Sequence, residues 1–226
     1  MKYQEIKEQI CDICNKMWIK DWVAANDGNV SVKVDENTVI ATPTGISKSF
    51  ITPDKLVTVD MDGNIIEAED GYRPSSEIKM HLCCYKERPD VGAVLHAHPI
   101  AATAFAVAHV HMDKYVTIED VITVGSVPVT PYGTPSTNEV PDAIRPYLSE
   151  HDVLLLENHG ALSMGCDLIT AYYRMESLEH CAKVQLCAQL LGGAKEISRK
   201  DIDTLIEKRS YYGVTGKHPG YKKYNK

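Results

Sequence analysis

Two histidines, His96 and His98 in Leu95-His96-Ala97-His98-Pro99, and a third, His159 in Glu157-Asn158-His159-Gly160, are the side chains here best suited to hold a metal. Each group sits where an apolar, strand-like run (Val91 to Leu95, Val153 to Leu156) gives way to turn residues. Residues two apart on a strand point to one face. His96 and His98 can therefore aim two imidazoles at one point, and His159 can add a third from a neighbouring strand end. Three neutral imidazoles suit Zn²⁺, and a three-ligand site leaves a position open for chemistry. His109-Val110-His111 repeats the spacing in a loop-like stretch and reads as surface.

Glu77 is the next candidate. Ser75 and Ser76 precede it where a helix is predicted to start. Backbone N–H groups, hydroxyls and the helix dipole at such a start favour an anion such as phosphate, although plain N-capping needs only one serine. A carboxylate near Zn²⁺ can be a fourth ligand or a general base. The loops holding Gly28-Asn29 and Thr44-Gly45 have the chemistry to complete a phosphate pocket: glycine lets the backbone approach, while Asn and Thr side chains donate. On their own these loops are ordinary turns.

The elements that must position these groups are legible from pattern. Ile6, Ile10, Ile13, Cys14, Met17 and Trp18 predict an amphipathic helix over 3–20. Val30–Val34 with Thr38–Ala41, and Leu56–Val59 with Asn64–Glu67, read as hairpins. A helix is expected from Pro74-Ser75-Ser76-Glu77 to about Lys86, a strand over Val91–His96 and an Ala-rich helix over Ala101–Ala108. The stretch 109–126 has no clear pattern. Val127-Pro128-Val129 reads as a short strand, Val140–Leu148 as a helix, and Val153–Leu156 and Ala161–Met164 as strands flanking His159. Asp167 can cap a long helix closed by Gly192-Gly193, and a last helix is expected over Arg199–Lys208. Hairpin-rich strands with helices at both ends and between predict a mixed α/β domain with a largely antiparallel sheet. No Gly-x-Gly-x-x-Gly follows a first strand, which argues against a Rossmann fold.

The chain has 226 residues, enough for one large domain. Its net charge of −7 gives no global attraction to nucleic acid, so an anionic substrate must be held by local donors. No run of eighteen apolar residues suggests a membrane span, and Met1 to Glu8 lacks a signal peptide's apolar core. Seven cysteines, an odd count set mostly in apolar patterns, read as reduced thiols in a cytoplasmic protein. Cys11 and Cys14 fall inside the first helix pattern and read as core-facing.

Six ordered runs together resemble the zinc-dependent class II sugar-phosphate aldolases, the family of L-fuculose-1-phosphate aldolase. They are Gly28-Asn29-Val30-Ser31, Thr42-Pro43-Thr44-Gly45, Pro74-Ser75-Ser76-Glu77 with His81, His96-Ala97-His98-Pro99, Pro131-Tyr132-Gly133-Thr134 and Asn158-His159-Gly160. The resemblance covers nearly the whole chain. It implies a three-layer α/β/α class II aldolase/adducin-like domain over residues 1–226, with a mobile C-terminal tail from about residue 210. It implies one Zn²⁺ per subunit on His96, His98 and His159, with Glu77 as fourth ligand at rest and acid/base in turnover. Asn29, Thr44, Gly45, Ser75 and Ser76 become the substrate-phosphate pocket. Members assemble as homotetramers with active sites at subunit interfaces. The implied reaction cleaves a ketose 1-phosphate to dihydroxyacetone phosphate and an aldehyde such as lactaldehyde.

The second acid/base departs from the family pattern. The position where the fuculose-phosphate enzymes supply a tyrosine from the adjacent subunit is Thr117 here. Glu119 is the first substitute and Tyr115 the second. Tyr212, before Gly213, resembles a tail tyrosine that closes over the aldehyde. Competing readings are a pentulose-phosphate 4-epimerase, whose pattern carries Asp in place of Glu77, a methylthioribulose-phosphate-type dehydratase, and a non-enzymatic adducin-like interaction domain, which lacks the metal histidines.

Overall fold

The computed structural model describes residues 3–217. In chain order the elements are α1 (Gln4–Ile19), β1 (Asn29–Asp35), β2 (Thr38–Ala41), β3 (Val57–Asp60), β4 (Ile65–Glu67), α2 (Ile78–Glu87), β5 (Ala93–Ala97) and α3 (Ile100–Val107). These are followed by β6 (Val129–Thr130), α4 (Glu139–Leu148), β7 (Val153–Leu156), β8 (Gly160–Gly165), α5 (Leu168–Leu190) and α6 (Arg199–Glu207). The strands form one sheet in the order β4-β3-β2-β1-β5-β8-β7-β6. Every pairing is antiparallel except β6 with β7.

Strand alternation divides the core in two. Ala93, Leu95 and Ala97 of β5 and Val153 and Leu155 of β7 pack with α1, α3 and α5. Val94, Leu154, Leu156, Leu162 and Met164 pack on the other face with α2 and α4. Successive residues of a strand face opposite ways, so a sheet covered on both sides needs near-continuous apolar strands. The sequence of β5 and β7 has that character. The result is the expected three-layer α/β/α architecture.

Asp167 caps α5 by accepting from Thr170 N at 2.7 Å, and Gly192 and Gly193 follow the helix with positive φ. The patternless stretch 109–126 holds a bridge between Met112 and Val127 and a π-helical turn over Asp120–Val124. Asp120 fixes that turn by accepting from Val116 N and Thr117 N. A single π-turn carries no hydrophobic period of its own, which is why the sequence pattern is silent there. The C-terminal segment is described as far as residue 217. Thr215 O accepts from Arg174 Nη2 at 2.8 Å, and Lys217 N donates to Asp152 Oδ2 at 2.7 Å. The rest of the tail lies outside the described residues. Among the described residues no helix is long and apolar enough to cross a membrane.

Candidate active site

The three histidines meet at one end of the sheet. Register does most of this. Asn29, the first residue of β1, is the direct partner of His96 on β5, and β5 runs beside β8, whose first residue Gly160 follows His159. Asn158 takes a left-handed conformation (φ 52) that turns the chain between β7 and β8, a geometry asparagine tolerates. Gly160 leaves room for the His98 ring: a Cβ there would lie 2.5 Å from His98 Cδ2. Gly28, at φ +71, passes so close to the same strand that a Cβ would meet His96 O at 2.9 Å. The ring centroids of the trio are 4.6 to 5.2 Å apart, and one nitrogen from each ring lies within 4.8 Å of the others.

The donor set fits a divalent cation. His96 Nδ1 lies 3.0 Å from the Ala161 carbonyl, which can only accept, so Nδ1 carries the proton and Nε2 offers its lone pair. That Nε2 has His98 Nε2 at 3.1 Å and Glu77 Oε2 at 3.1 Å. Two imidazole nitrogens on one tetrahedral zinc lie about 3.3 Å apart, given Zn–N bonds of about 2.0 Å. Glu77 Oε1, buried and without a hydrogen-bond partner, stands 3.7 Å from His159 Nε2. Convergent lone pairs beside an unpartnered buried carboxylate oxygen are what a cation would satisfy. His96, His98 and His159 could hold a metal, with Glu77 beside them.

Electrostatics support an ionised Glu77. Burial alone would raise its pKa, but the flanking His96 and His159 rings and the Asn29 amide reverse this and hold it at about 2. His98 and His159 are pushed down to about 4, first by burial and then by the neighbouring His96. Both rings are therefore neutral near pH 7, as ligation requires.

The five residues expected to hold phosphate line the same cavity of about 170 Å³ as the trio and Glu77. Thr44 N donates to Arg73 O and Ser75 N to Thr42 O, which ties the Thr44-Gly45 loop to the start of α2. Ser75 Oγ accepts from Glu77 N at 3.3 Å, and Asn29 Nδ2 donates to Glu77 Oε2 at 3.3 Å. The polar wall and the carboxylate are one hydrogen-bonded unit. Asn26, Asp27 and Pro135 also line this cavity, and sequence reasoning did not single them out. Asp27 Oδ2 lies 3.4 Å from His98 Nδ1.

Glu179 was also missed. It is buried on α5, and its carboxylate accepts from Ala101 N at 3.2 Å and Ala102 N at 2.9 Å. These are orphan donors at the start of α3, two residues beyond His98. The cap fixes the turn that aims His98, and a Glu inside a long helix pattern gave no sign of it.

The second acid/base candidates sit elsewhere. Tyr115 is buried, with its hydroxyl 3.1 Å from Ser126 Oγ and its pKa raised by burial, so it is not free to act on an external ligand. Glu119 is exposed beside the π-turn. Tyr212 is half-exposed in the 3₁₀ turn Arg209–Tyr212, a few residues before Thr215 and Lys217, which bond Arg174 and Asp152. Arg174 binds Met164 O, near the last residue of β8, whereas His159 precedes its first residue. At about 3.3 Å per residue the tail anchor lies roughly 15 Å from the trio. Neither Glu119 nor Tyr212 is among the residues that line the cavity of the trio.

Comparison with known proteins agrees with the fold. Residues 8–186 match the family described as Class II Aldolase and Adducin N-terminal domain. L-fuculose phosphate aldolase of Methanocaldococcus jannaschii is 32% identical over 180 residues, 80% of this chain and 95% of that protein. A 5-methylthioribulose-1-phosphate/5-deoxyribulose-1-phosphate aldolase of Escherichia coli is 31% identical over 218 residues, 95% of this chain and 99% of that protein. A solved structure of L-fuculose 1-phosphate aldolase superposes with a TM-score of 0.84 at 28% identity, covering 91% of this chain and 96% of the other. The chain belongs to the class II aldolase and adducin N-terminal domain family. Within it, this chain is an enzyme of the lyase class.

Proposed function

We propose that the protein is a zinc-dependent aldolase that reversibly cleaves a ketose 1-phosphate, L-fuculose 1-phosphate or a related deoxy-ketose 1-phosphate. The products are dihydroxyacetone phosphate and an aldehyde such as lactaldehyde. The observation that carries this reading is the convergence of His96, His98 and His159 on an ionised, partly unpartnered Glu77 beside a wall of neutral donors. The relative named for 5-methylthioribulose 1-phosphate and 5-deoxyribulose 1-phosphate is as similar as those named for fuculose phosphate, which makes 5-deoxyribulose 1-phosphate a second candidate substrate of the same chemistry. The small cavity suits a phosphate and a few carbons.

In this reading Asn29, Thr44, Gly45, Ser75 and Ser76 hold the substrate phosphate and fix the register of the sugar chain. His96, His98 and His159 hold the cation, with Glu77 as a fourth ligand at rest. A bound divalent cation supplies Lewis-acid stabilisation of the negative charge that develops when the C3–C4 bond breaks. Glu77 carries the proton at C3: its carboxylate removes that proton in condensation and returns it in cleavage. The C4 hydroxyl must lose a proton in cleavage. Glu119 is the group proposed to take it, from an adjacent subunit of a homotetramer, and Tyr212 is proposed to close over the aldehyde from a neighbour in the same way. The enzyme is read as one cytoplasmic domain over residues 1–226.

A panel of substrates tests this. Fuculose 1-phosphate, ribulose 1-phosphate, rhamnulose 1-phosphate and 5-deoxyribulose 1-phosphate are offered and dihydroxyacetone phosphate release is coupled to a spectrophotometric readout. At least one should be cleaved, with activity lost on chelation and restored by Zn²⁺. Epimerisation of ribulose 5-phosphate with no ketose 1-phosphate cleaved would replace the aldolase reading.

A further inference from the structure

Lys48 is the most deeply buried cation near the site. It is 1% exposed, at the start of the 3₁₀ turn Lys48–Phe50. Its ammonium donates to Asn26 O at 3.2 Å and to Ile46 O at 2.9 Å. Those two carbonyls belong to the two loops that line the cavity beside Glu77, the one running to Asn29 and the one just past Thr44-Gly45. Among the described residues no carboxylate forms an ion pair with it. Asp27 is the acidic side chain whose charge reaches it.

A buried ammonium held only by carbonyls is poorly compensated. The cavity in front of it has the opposite deficit. Its lining includes no lysine or arginine, and its charged members are the acids Asp27 and Glu77. Neutral donors can shape a phosphate site, but a divalent cation on the trio would be offset by the Asp27 and Glu77 carboxylates, so a phosphate dianion would add negative charge with no lining cation left to balance it. A positive charge directly behind the loops acts through protein, where screening is weak.

We propose that Lys48 is the positioning cation of this pocket, clasping the 26–29 and 44–46 loops and supplying the counter-charge that lets a phosphomonoester settle among neutral donors. The inference rests on the sugar-phosphate reading of the cavity. It adds the residue that makes the cavity attractive to an anion, although that residue never touches the ligand.

The test titrates inorganic phosphate into the metal-loaded protein by calorimetry and compares wild type with Lys48→Met and Lys48→Gln. Metal content and denaturation midpoint are measured on each. Loss of the charge should weaken phosphate binding tenfold or more and raise KM for the phosphorylated substrate by a similar factor. The kcat should stay within about threefold and the metal content should not change. A merely structural lysine would instead lower metal content or kcat together with affinity. Equal phosphate affinity in wild type and in whichever neutral variant folds would overturn the role of Lys48 while leaving the pocket intact. Absence of phosphate binding by wild type would overturn the pocket reading itself, and the inference with it.

Discussion

The two ends of the central sheet treat buried charge in opposite ways. At the end away from the histidines, Arg88, Asp152 and Arg174 are all buried and all satisfied. Arg88 bonds Asp90, Asp152, Leu148 O and His151 O. Asp152 divides its oxygens between the two arginines and Lys217 N. At the histidine end, Glu77 Oε1, Asn29 Oδ1 and His81 Nε2 are buried without a hydrogen-bond partner. Folding tolerates few such atoms. The first end closes its network on itself, whereas the second leaves valences open toward a ligand.

The largest effect that would break this contrast is at Glu77. Replacement by Gln keeps the shape and removes the ionised base, so kcat for ketose-phosphate cleavage should fall by about 10² to 10⁴-fold. Stability should fall as well, because the folded site holds the ionised carboxylate below its ordinary pKa and so gains from the charge that is removed. Steady-state kinetics with a parallel urea melt checks both halves. Full turnover in Glu77→Gln would remove it as the proton carrier.

The mirror experiment is Asp152→Ala. It strands two buried arginines, and removing one partner of a buried pair costs about 3–5 kcal/mol. For a chain of this size that is a fall of roughly 10 °C in Tm. Activity per folded molecule should stay within about threefold. The outcome also sharpens the role of the tail. A loss of activity that Tyr212→Phe reproduces without the loss of stability would mean that the Asp152 anchor presents Tyr212 to a neighbouring site.

How much of this contrast could be read beforehand depends on whether a feature repeats along the chain. Helices α1 and α5, both hairpins and the strands that frame His159 announce themselves through apolar period and turn residues, and the structure has them within a few residues of expectation. The histidine trio was legible because strand parity and strand ends are local properties, and the structure brings the rings together. Lys48, Asp27 and Glu179 were not legible. Each works by meeting a loop or helix end 22 to 78 residues away or across a tight turn, and no spacing rule reports such meetings. The Arg88–Asp152–Arg174 network was silent for the same reason, since arginine and aspartate in a sequence read as surface.

The smallest effect separates the two ends by proton uptake. His151 is buried at the far end, its Nδ1 3.1 Å from Ser126 O. Burial pushes its pKa from 6.5 down to about 4, against the opposing pull of the Ser126 carbonyl and Asp152. An unfolded chain would protonate this ring near pH 6.5 and the folded chain only near pH 4. Unfolding therefore takes up a proton between those values. The ring's contribution is complete above pH 6.5 and is lost as pH falls toward 4, by about 3 kcal/mol in all. His151→Asn keeps a donor for Ser126 O and removes the titration, so its stability should decline less steeply over that range in urea melts at pH 7, 5.5 and 4. The site histidines share the same sign, but a bound metal would hold them unprotonated to lower pH. Adding Zn²⁺ should therefore change the pH slope through the histidine end and leave the His151 difference unchanged. A difference that vanished with metal would mean that the two ends are coupled and the contrast between them is not a division of labour.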